Sequence, residues 1–376
     1  MIRAEYLITT PLFMGGAVHD KCADPELRVP SIKGLVRFWF RAVAWPSMRS
    51  VEEIWEKEKE LFGSADGQGK FLFSSQSSDL KIGVPDSQKP IGLSYLGYGT
   101  YGSRKFFQPG DRFTLELKFR EHRKKKVTDE DIDYLKKSLT ALGLFGGAGS
   151  RSRRGFGSLT LTNLEIDGKR VWSKPNSFEE LEERIRSFIS ELSIRDLSEE
   201  DDFPPYTSFS SQTRVSVVDG SSSENALRLL NKIGIEFINY RREVGRKEGD
   251  GALVLDFLRG AEINEHPSRA VFGLPHNYYF RNIGKSASVE PSGSVNKRRA
   301  SPLFIHIHAL NKGRFAAVLT LLPAVFLPKD KMITIKEKVN KKKRKVENEE
   351  KKAEVVPNVN IELIENFLNK FRVVWP

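Results

Sequence analysis

The residues best suited to chemistry lie in GGAGSRSRRGFGSL, residues 146–159, where five glycines meet three arginines. Glycine removes the side chain and opens backbone angles closed to other residues. Arginine brings a planar, permanently charged fork suited to phosphate. The stretch is therefore a candidate anion site. It is not a Walker A loop, which needs Lys-Ser/Thr after its last glycine, a strand before it and a helix after it. Nor is it a dinucleotide fingerprint, whose glycine spacing and strand-to-helix context both differ. Here a helical pattern precedes the loop and a strand pattern follows. That context suits a continuous polyanion, with backbone N–H groups opened by Gly147, Gly149 and Gly155 and flanked by Arg151, Arg153 and Arg154. The competing reading is an ordinary helix-to-strand connection with solvated arginines. Phe156 is read as a core anchor, with base stacking as the alternative.

A second cationic set lies in SIKGLVRFWFRAVAW, which begins at Ser31. With Lys33 at zero on a helical wheel, Arg37 falls at about 40° and Arg41 at about 80°. Leu35, Phe38, Trp39, Ala42, Val43 and Trp45 take the opposite arc. The polar face then carries cations with no acid among its own residues, which points to an anionic partner. Phe40, on the basic side, is either a stacking plate or packed under an insertion.

Other candidates are weaker. The loop after the first strand holds His19, Asp20, Cys22 and Asp24. Metal-free RNA cleavage needs a general base for the 2′-OH and an acid for the leaving oxygen, and His19 or Asp20 is the alternative catalytic candidate. A lone loop histidine is more often polar surface. His306 and His308, in IHIH, share one face of a strand. They make half a metal site at most, since no acid or cysteine lies close in sequence. Arg298 and Arg299, in NKRR, precede a strand and form a secondary RNA candidate. KKKRK at 341–345 is followed by acids and reads as a solvated insertion.

The totals bound the choices. The chain has 376 residues, a net charge of +12, 39% hydrophobic residues and a single cysteine. That excludes a disulfide scaffold and a thiolate zinc site. No apolar run reaches the roughly 18–20 residues of a membrane span, and the N-terminus reads as a strand rather than a signal peptide. A reducing cytoplasm fits, and no cofactor or metal is expected. The positive imbalance favours nucleic acid as partner. A thermophile's Lys/Glu-rich surface accounts for the number of charges but not for their sign.

These residues need elements to hold them. Residues 2–10 read as a strand, 31–45 as a helix capped by Ser31 and stopped by Pro46, and VEEIWEKEKELFG as a helix ending on Gly63. KFLFSS, LKIGV and DRFTLELKF read as strands, TDEDIDYLKKSLTALGLFGG as a helix capped by Thr128, and SLTLTNLEI as a strand. Strand, helix, strand, strand, helix, strand is the ferredoxin-like order. From about 166 the pattern restarts. SFEELEERIRSFISEL is a helix, QTRVSVVD a strand and SENALRLLNKIGIEFINYRREV a long helix. RKEGDG and SASVEPSGSVNKRRAS read as loops. PLFIHIHAL and RFAAVLTLL pair across NKG, and NVNIELIENFLNKFRVV closes the chain as a helix. The expected fold class is α+β: two tandem ferredoxin-like, RRM-like βαββαβ domains with insertions. They span 1–165 and 166–376, with the second starting within 165–210 and a charged insertion near 329–356.

TPLFMGG, ELRVPSIKGLVRFWFRA, LFGS and GSRSRRGFGSL occur in that order. In them the chain resembles the first-subunit family of the type III-B CRISPR (Cmr) effector complex, in the repeat-associated mysterious protein (RAMP) superfamily. RRASPLFIHIHAL followed by VLTLLPAVFLP also fits. The resemblance implies two RAMP domains within an RNA-guided complex, holding RNA near the guide's 3′ portion. Its glycine-rich loop maps onto residues 146–157 and its basic helix onto Lys33, Arg37 and Arg41. It also implies that guide RNA, single-stranded target RNA and other Cmr subunits are the partners, with no membrane. This subunit would bind rather than cut. A metal-independent ribonuclease and a purely architectural subunit, its basic face on an acidic protein, are the alternatives.

Overall fold

The computed structural model describes the chain apart from residues 17–22, 78, 87, 121–125, 193, 195–202, 294–296 and 339–350. The chain opens with β1 (Ile2–Ile8), α1 (Val29–Met48) and α2 (Val51–Phe62). β2 (Phe71–Ser77), β3 (Ile82–Gly83), α3 (Ile91–Leu96), β4 (Phe106–Phe107) and β5 (Arg112–Phe119) follow. Next come α4 (Asp129–Phe145), β6 (Leu159–Ile166), β7 (Lys169–Ser173) and α5 (Phe178–Ser190). β8 (Arg214–Asp219), α6 (Ala226–Lys247), α7 (Asp250–Arg259), β9 (His276–Phe280) and β10 (Lys285–Pro291) continue the chain. It closes with β11 (Leu303–Ala309), β12 (Phe315–Leu321), β13 (Ile333–Glu337), β14 (Lys352–Val355), α8 (Glu362–Leu368) and β15 (Arg372–Trp375).

The protein is mixed α+β with several antiparallel sheets. The first runs β2-β5-β1-β6-β7, with β1 antiparallel to β5 and β6. Ile2, Ala4, Tyr6 and Ile8 alternate onto its buried face, as a half-buried strand must. Val36, Phe40 and Val43 of α1 and Leu135, Leu139 and Leu142 of α4 join the same core. The Tyr6 hydroxyl donates to the Leu139 carbonyl at 2.8 Å. A second sheet runs β11-β12-β8-β15 and a third β14-β13-β10-β9.

Two expectations for α1 fail for stated reasons. The helix starts before Ser31, because Pro30 fits the first turn, where no intrahelical N–H is required. Pro46 does not stop it. Proline cannot donate to the carbonyl four residues back, but the Phe209 N–H takes that Ala42 carbonyl at 3.1 Å. Elsewhere, β10 falls in a segment read as a loop, and α7, which begins at the end of RKEGDG, and β9 have no counterpart in the sequence reading. The last segment is not all helix: after α8 it becomes β15, which pairs antiparallel with β8.

The chain divides into two compact units. One comprises Met1–Ile235, Phe304–Pro323 and Leu368–Pro376; the other comprises Glu236–Leu303 and Ala324–Phe367. In the second unit Val254, Phe257, Val289, Ile333 and Ile335 share one apolar core.

Thr128 caps α4 as expected, in a reciprocal box with Asp131. The Asp131 carboxylate is fully buried and meets Lys57 at 2.7 Å and Lys70 at 2.6 Å. Burial pushes this carboxyl up, but hydrogen bonds from Lys57, Lys70 and the Thr128 backbone outweigh it and hold the group below its ordinary value. A lowered folded pKa means its stabilisation is present at neutral pH and lost as pH falls through that value. Removing one partner of a buried pair costs about 3–5 kcal/mol. We expect Asp131→Ala to lower urea-unfolding stability at pH 7 by about that much. A change below about 1 kcal/mol would contradict the role of this network.

Candidate nucleic-acid interface

The Gly/Arg loop links α4 to β6. Its backbone donors go to protein acceptors: Ala148 to Gly157, Ser150 to Phe13, Arg154 to Arg151 and Gly157 to Pro11. The Ser158 N–H goes to the Thr10 hydroxyl at 2.9 Å. Packing accounts for the glycines. A Cβ on Gly149, which has φ +74°, would stand 2.4 Å from the Phe13 carbonyl oxygen. One on Gly155, at φ +83°, would strike Leu230 at 2.4 Å. Gly147 pairs in a bridge with Ser158. The N–H groups of Ala148, Ser150, Arg154, Gly157 and Ser158 are thus already bonded within the protein.

The three arginines differ. Arg151 is exposed at φ +65°, its guanidinium on the Tyr98 carbonyl. Arg153 lies over the rings of Phe304 at 4.5 Å and Phe38 at 5.4 Å, a cation–π arrangement. The Arg154 backbone bridges to Ile305 in parallel, and Ile305 N–H donates to the Arg153 carbonyl at 3.1 Å. Phe156 is fully buried between Phe13 and Tyr101, with ring centroids 5.5 Å away in each case, so the core reading holds.

The basic helix has a counter-ion that its own sequence hides. Glu58 of α2, 3% exposed, takes Arg37 at 2.6 Å and Arg41 at 2.9 Å. The idea of an unbalanced cationic face is therefore corrected, although the Arg37 and Arg41 side chains stay 35% and 39% exposed. A signal existed: Glu58 falls on the apolar stripe Ile54, Leu61, Phe62 of its own helix. Phe40 is fully buried against Phe62 and Tyr134, so it is no stacking plate. Lys33 is half-buried and lies 5.6 Å from the Phe73 ring. Burial, then repulsion from Arg37 and Arg120, depresses its ammonium pKa. Arg120, after β5, is a cation of this cluster that the sequence reading did not single out. Arg153 faces Phe38 of α1, whereas Arg37 and Arg41 turn to α2.

The remaining candidates separate. His19, Asp20 and KKKRK lie outside the described residues. Arg298 is exposed, but Arg299 is held inward by the Val325 carbonyl at 3.0 Å and the Phe326 ring, which removes it from the exposed basic set. His306 and His308 are fully buried. His306 Nδ1 donates to the Gly146 carbonyl at 2.7 Å, and its Nε2 is 3.2 Å from His308 Nδ1. Among the described residues no three His, Cys, Asp or Glu side chains are disposed to hold a metal. Also among them, no helix is long and apolar enough to cross a membrane.

With this geometry in place, residues 6–160 match the RAMP superfamily. The chain is also similar to Cmr1 proteins, as the ordered motifs implied. One relative, CRISPR system Cmr subunit Cmr1-1 of Pyrococcus furiosus, is 23% identical over 319 residues, covering 81% of this chain and 82% of the relative. A second, Cmr1-2 of the same organism, is 28% identical over 181 residues, covering 41% of this chain and 91% of the relative. An apo crystal structure of Cmr1 from Pyrococcus furiosus superposes with TM-score 0.60 at 19% identity, covering 100% of this chain and 99% of the other. A chain in a cryo-electron-microscopy structure of type III-B Cmr-beta bound to cognate target RNA gives TM-score 0.55 at 13% identity, covering 98% of each. The superpositions establish a shared fold.

The histidines give a pH prediction. Burial lowers His306 to about 4, outweighing its bond to the Gly146 carbonyl, and burial with the His306 and Lys174 charges lowers His308 well below its ordinary value. The unfolded chain then binds more protons between about 6.5 and 4, so stability rises with pH across that window. It is complete above about 6.5 and is lost on acidification, by about 3 kcal/mol for His306 alone. Urea unfolding at pH 7 and pH 5 should show about 2 kcal/mol of this fall in the wild type and a smaller fall in His306→Gln. Equal midpoints in the wild type would contradict it.

Proposed function

We propose that this chain is a non-catalytic RNA-binding subunit of a type III-B CRISPR ribonucleoprotein in the cytoplasm. It works beside other Cmr subunits and touches guide or target RNA near the guide's 3′ end in defence against foreign RNA. Its frame is read as tandem ferredoxin-like domains within 1–165 and 166–376. Two strand orders support this. β2-β5-β1-β6 places the strands of β1, α1, β2, β5, α4, β6 in the order second, third, first, fourth. β11-β12-β8-β15 repeats that order for β8, α6, β11, β12, α8, β15. On this reading α7, β9 and β10 form one insertion, and β13 and β14 another within the segment near 329–356.

The observation that carries the reading is Arg151. A loop whose backbone is committed to packing nevertheless turns this arginine outward at a strained positive φ. Lys33, Arg37, Arg41 and Arg120 supply the further positive charge. Such contacts would hold phosphates without reading bases, leaving sequence to guide–target pairing. Arg153 and Arg154 mainly fix the loop, and Arg298 is a separate exposed cation.

The test is single-stranded RNA affinity against salt. Arg151→Ala should reduce the slope of log K on log salt by about 0.7, the value of one phosphate contact on a single strand. The same loss is expected of Lys33→Ala. Arg153→Ala should lower thermal stability more than it lowers the slope. Wild-type slopes in Arg151→Ala and Lys33→Ala would overturn the phosphate role.

A further inference from the structure

The second unit carries a surface that neither the motifs nor the relatives point to. Its four-stranded sheet is apolar on one side only. Ala287 and Val289 of β10, Ile333 and Ile335 of β13 and Val355 of β14 are buried, with Tyr278 and Phe280 of β9 packed beside them. Strand alternation sends the intervening residues to the opposite face. The register pairs Tyr279 with Ser286, Asn277 with Ser288, Ser288 with Lys336, and Lys336 with Lys352. Lys338 continues beyond β13 and donates to the Asn277 side chain.

This face is not a protein-like patch. Its small residues, Ser288 and Thr334, are 2% and 4% exposed, whereas Lys338 and Lys352 are exposed. Tyr279 is 68% exposed, a large ring left in water on an edge strand. The acids occupy the adjoining row of the same face, where Glu354 meets Lys352 at 2.6 Å and Glu290 meets Lys297 at 3.3 Å. There a cavity of about 330 Å³ is lined by Glu290, Gly293, Lys297, Thr334, Lys336 and Lys352. Protein interfaces are depleted in lysine and built round an apolar centre. A ring to stack on, with Lys338 level with it through Ser286 and Lys336 and Lys352 in the next row of the same face, suits an unpaired polyanionic strand.

We propose that this open face is a second single-stranded RNA surface, with Tyr279 stacking a base and Lys336, Lys338 and Lys352 following the phosphates. It rests on the RNA-subunit reading and adds to it a site on the inserted unit.

The test uses the full-length chain and a fluorescein-labelled oligouridylate, with anisotropy read across a potassium chloride series. Tyr279→Ala should weaken binding about five- to a hundredfold, while Tyr279→Phe should stay within about twofold because the ring is kept. Joint replacement of Lys336, Lys338 and Lys352 by Ala should reduce the salt slope by about two. Wild-type affinity in Tyr279→Ala with a wild-type slope in the lysine variant would overturn the proposal. If Arg151→Ala loses slope in the same series while the sheet variants do not, this site alone falls. If the wild type binds no RNA, the subunit reading falls and takes the site with it. Sheet variants that keep RNA affinity but lose a protein subunit on reconstitution would reassign the face to an acidic protein.

Discussion

Three buried backbone donors on β11, the N–H groups of Ile305, Ile307 and Ala309, must be satisfied where the strand meets the Gly/Arg loop and β6. They go to the Arg153 carbonyl at 3.1 Å, the Ser158 hydroxyl at 3.0 Å and the Thr160 hydroxyl at 2.9 Å. A bare buried donor costs about 1–3 kcal/mol, so this seam fixes the register of everything that touches it. Ser158 in turn reaches the Gly155 carbonyl at 3.0 Å, and Thr10 reaches the same carbonyl at 2.7 Å. His306 secures the Gly146 carbonyl at the other end of the loop. The glycines are the residues small enough to let the backbone enter this network.

The arginines follow from that constraint. A loop anchored along one edge of β11 has little freedom left, so its side chains are aimed by its backbone. Arg153 is drawn over Phe304 and Phe38, and Arg151 is turned outward. Preorganisation of this kind lowers the entropy lost when a flexible partner is bound. α1 obeys a similar rule. Its arginines are held by a buried carboxylate from the next helix, so a phosphate there would compete with Glu58 rather than meet bare cations.

Local chemistry carried most of the elements. Thr128 with Asp131 three residues on, and Gly63 after Leu61 and Phe62, are short-range signals, and both helix ends fall as read. β1, α1, α2, β2, β5, α4 and β6 and the pairing of β11 with β12 were readable from periodicity and turn residues. What escaped depended on distant partners. Pro46 continues its helix because Phe209, far along the chain, supplies the missing donor. β10 looked like a loop because its serines hide the alternation; only Ala287 and Val289 mark its buried side. Glu58 and Arg120 were missed because their contacts belong to neighbouring elements, whereas Arg151, Lys33, Arg37 and Arg41 were singled out as candidates by charge and spacing alone.

The central claim is that RNA runs against cationic side chains that the packed backbone aims, at the Arg151 loop and beside Lys33. Photocrosslinking answers it most directly. RNA carrying 4-thiouridine would be assembled with the full-length chain and its partner subunits, irradiated, and the crosslinked peptides identified by mass spectrometry. The account predicts adducts in the peptides bearing Lys33, Arg151 and Tyr98. Efficient crosslinking of the RNA to neighbouring subunits, with none to these peptides, would contradict it.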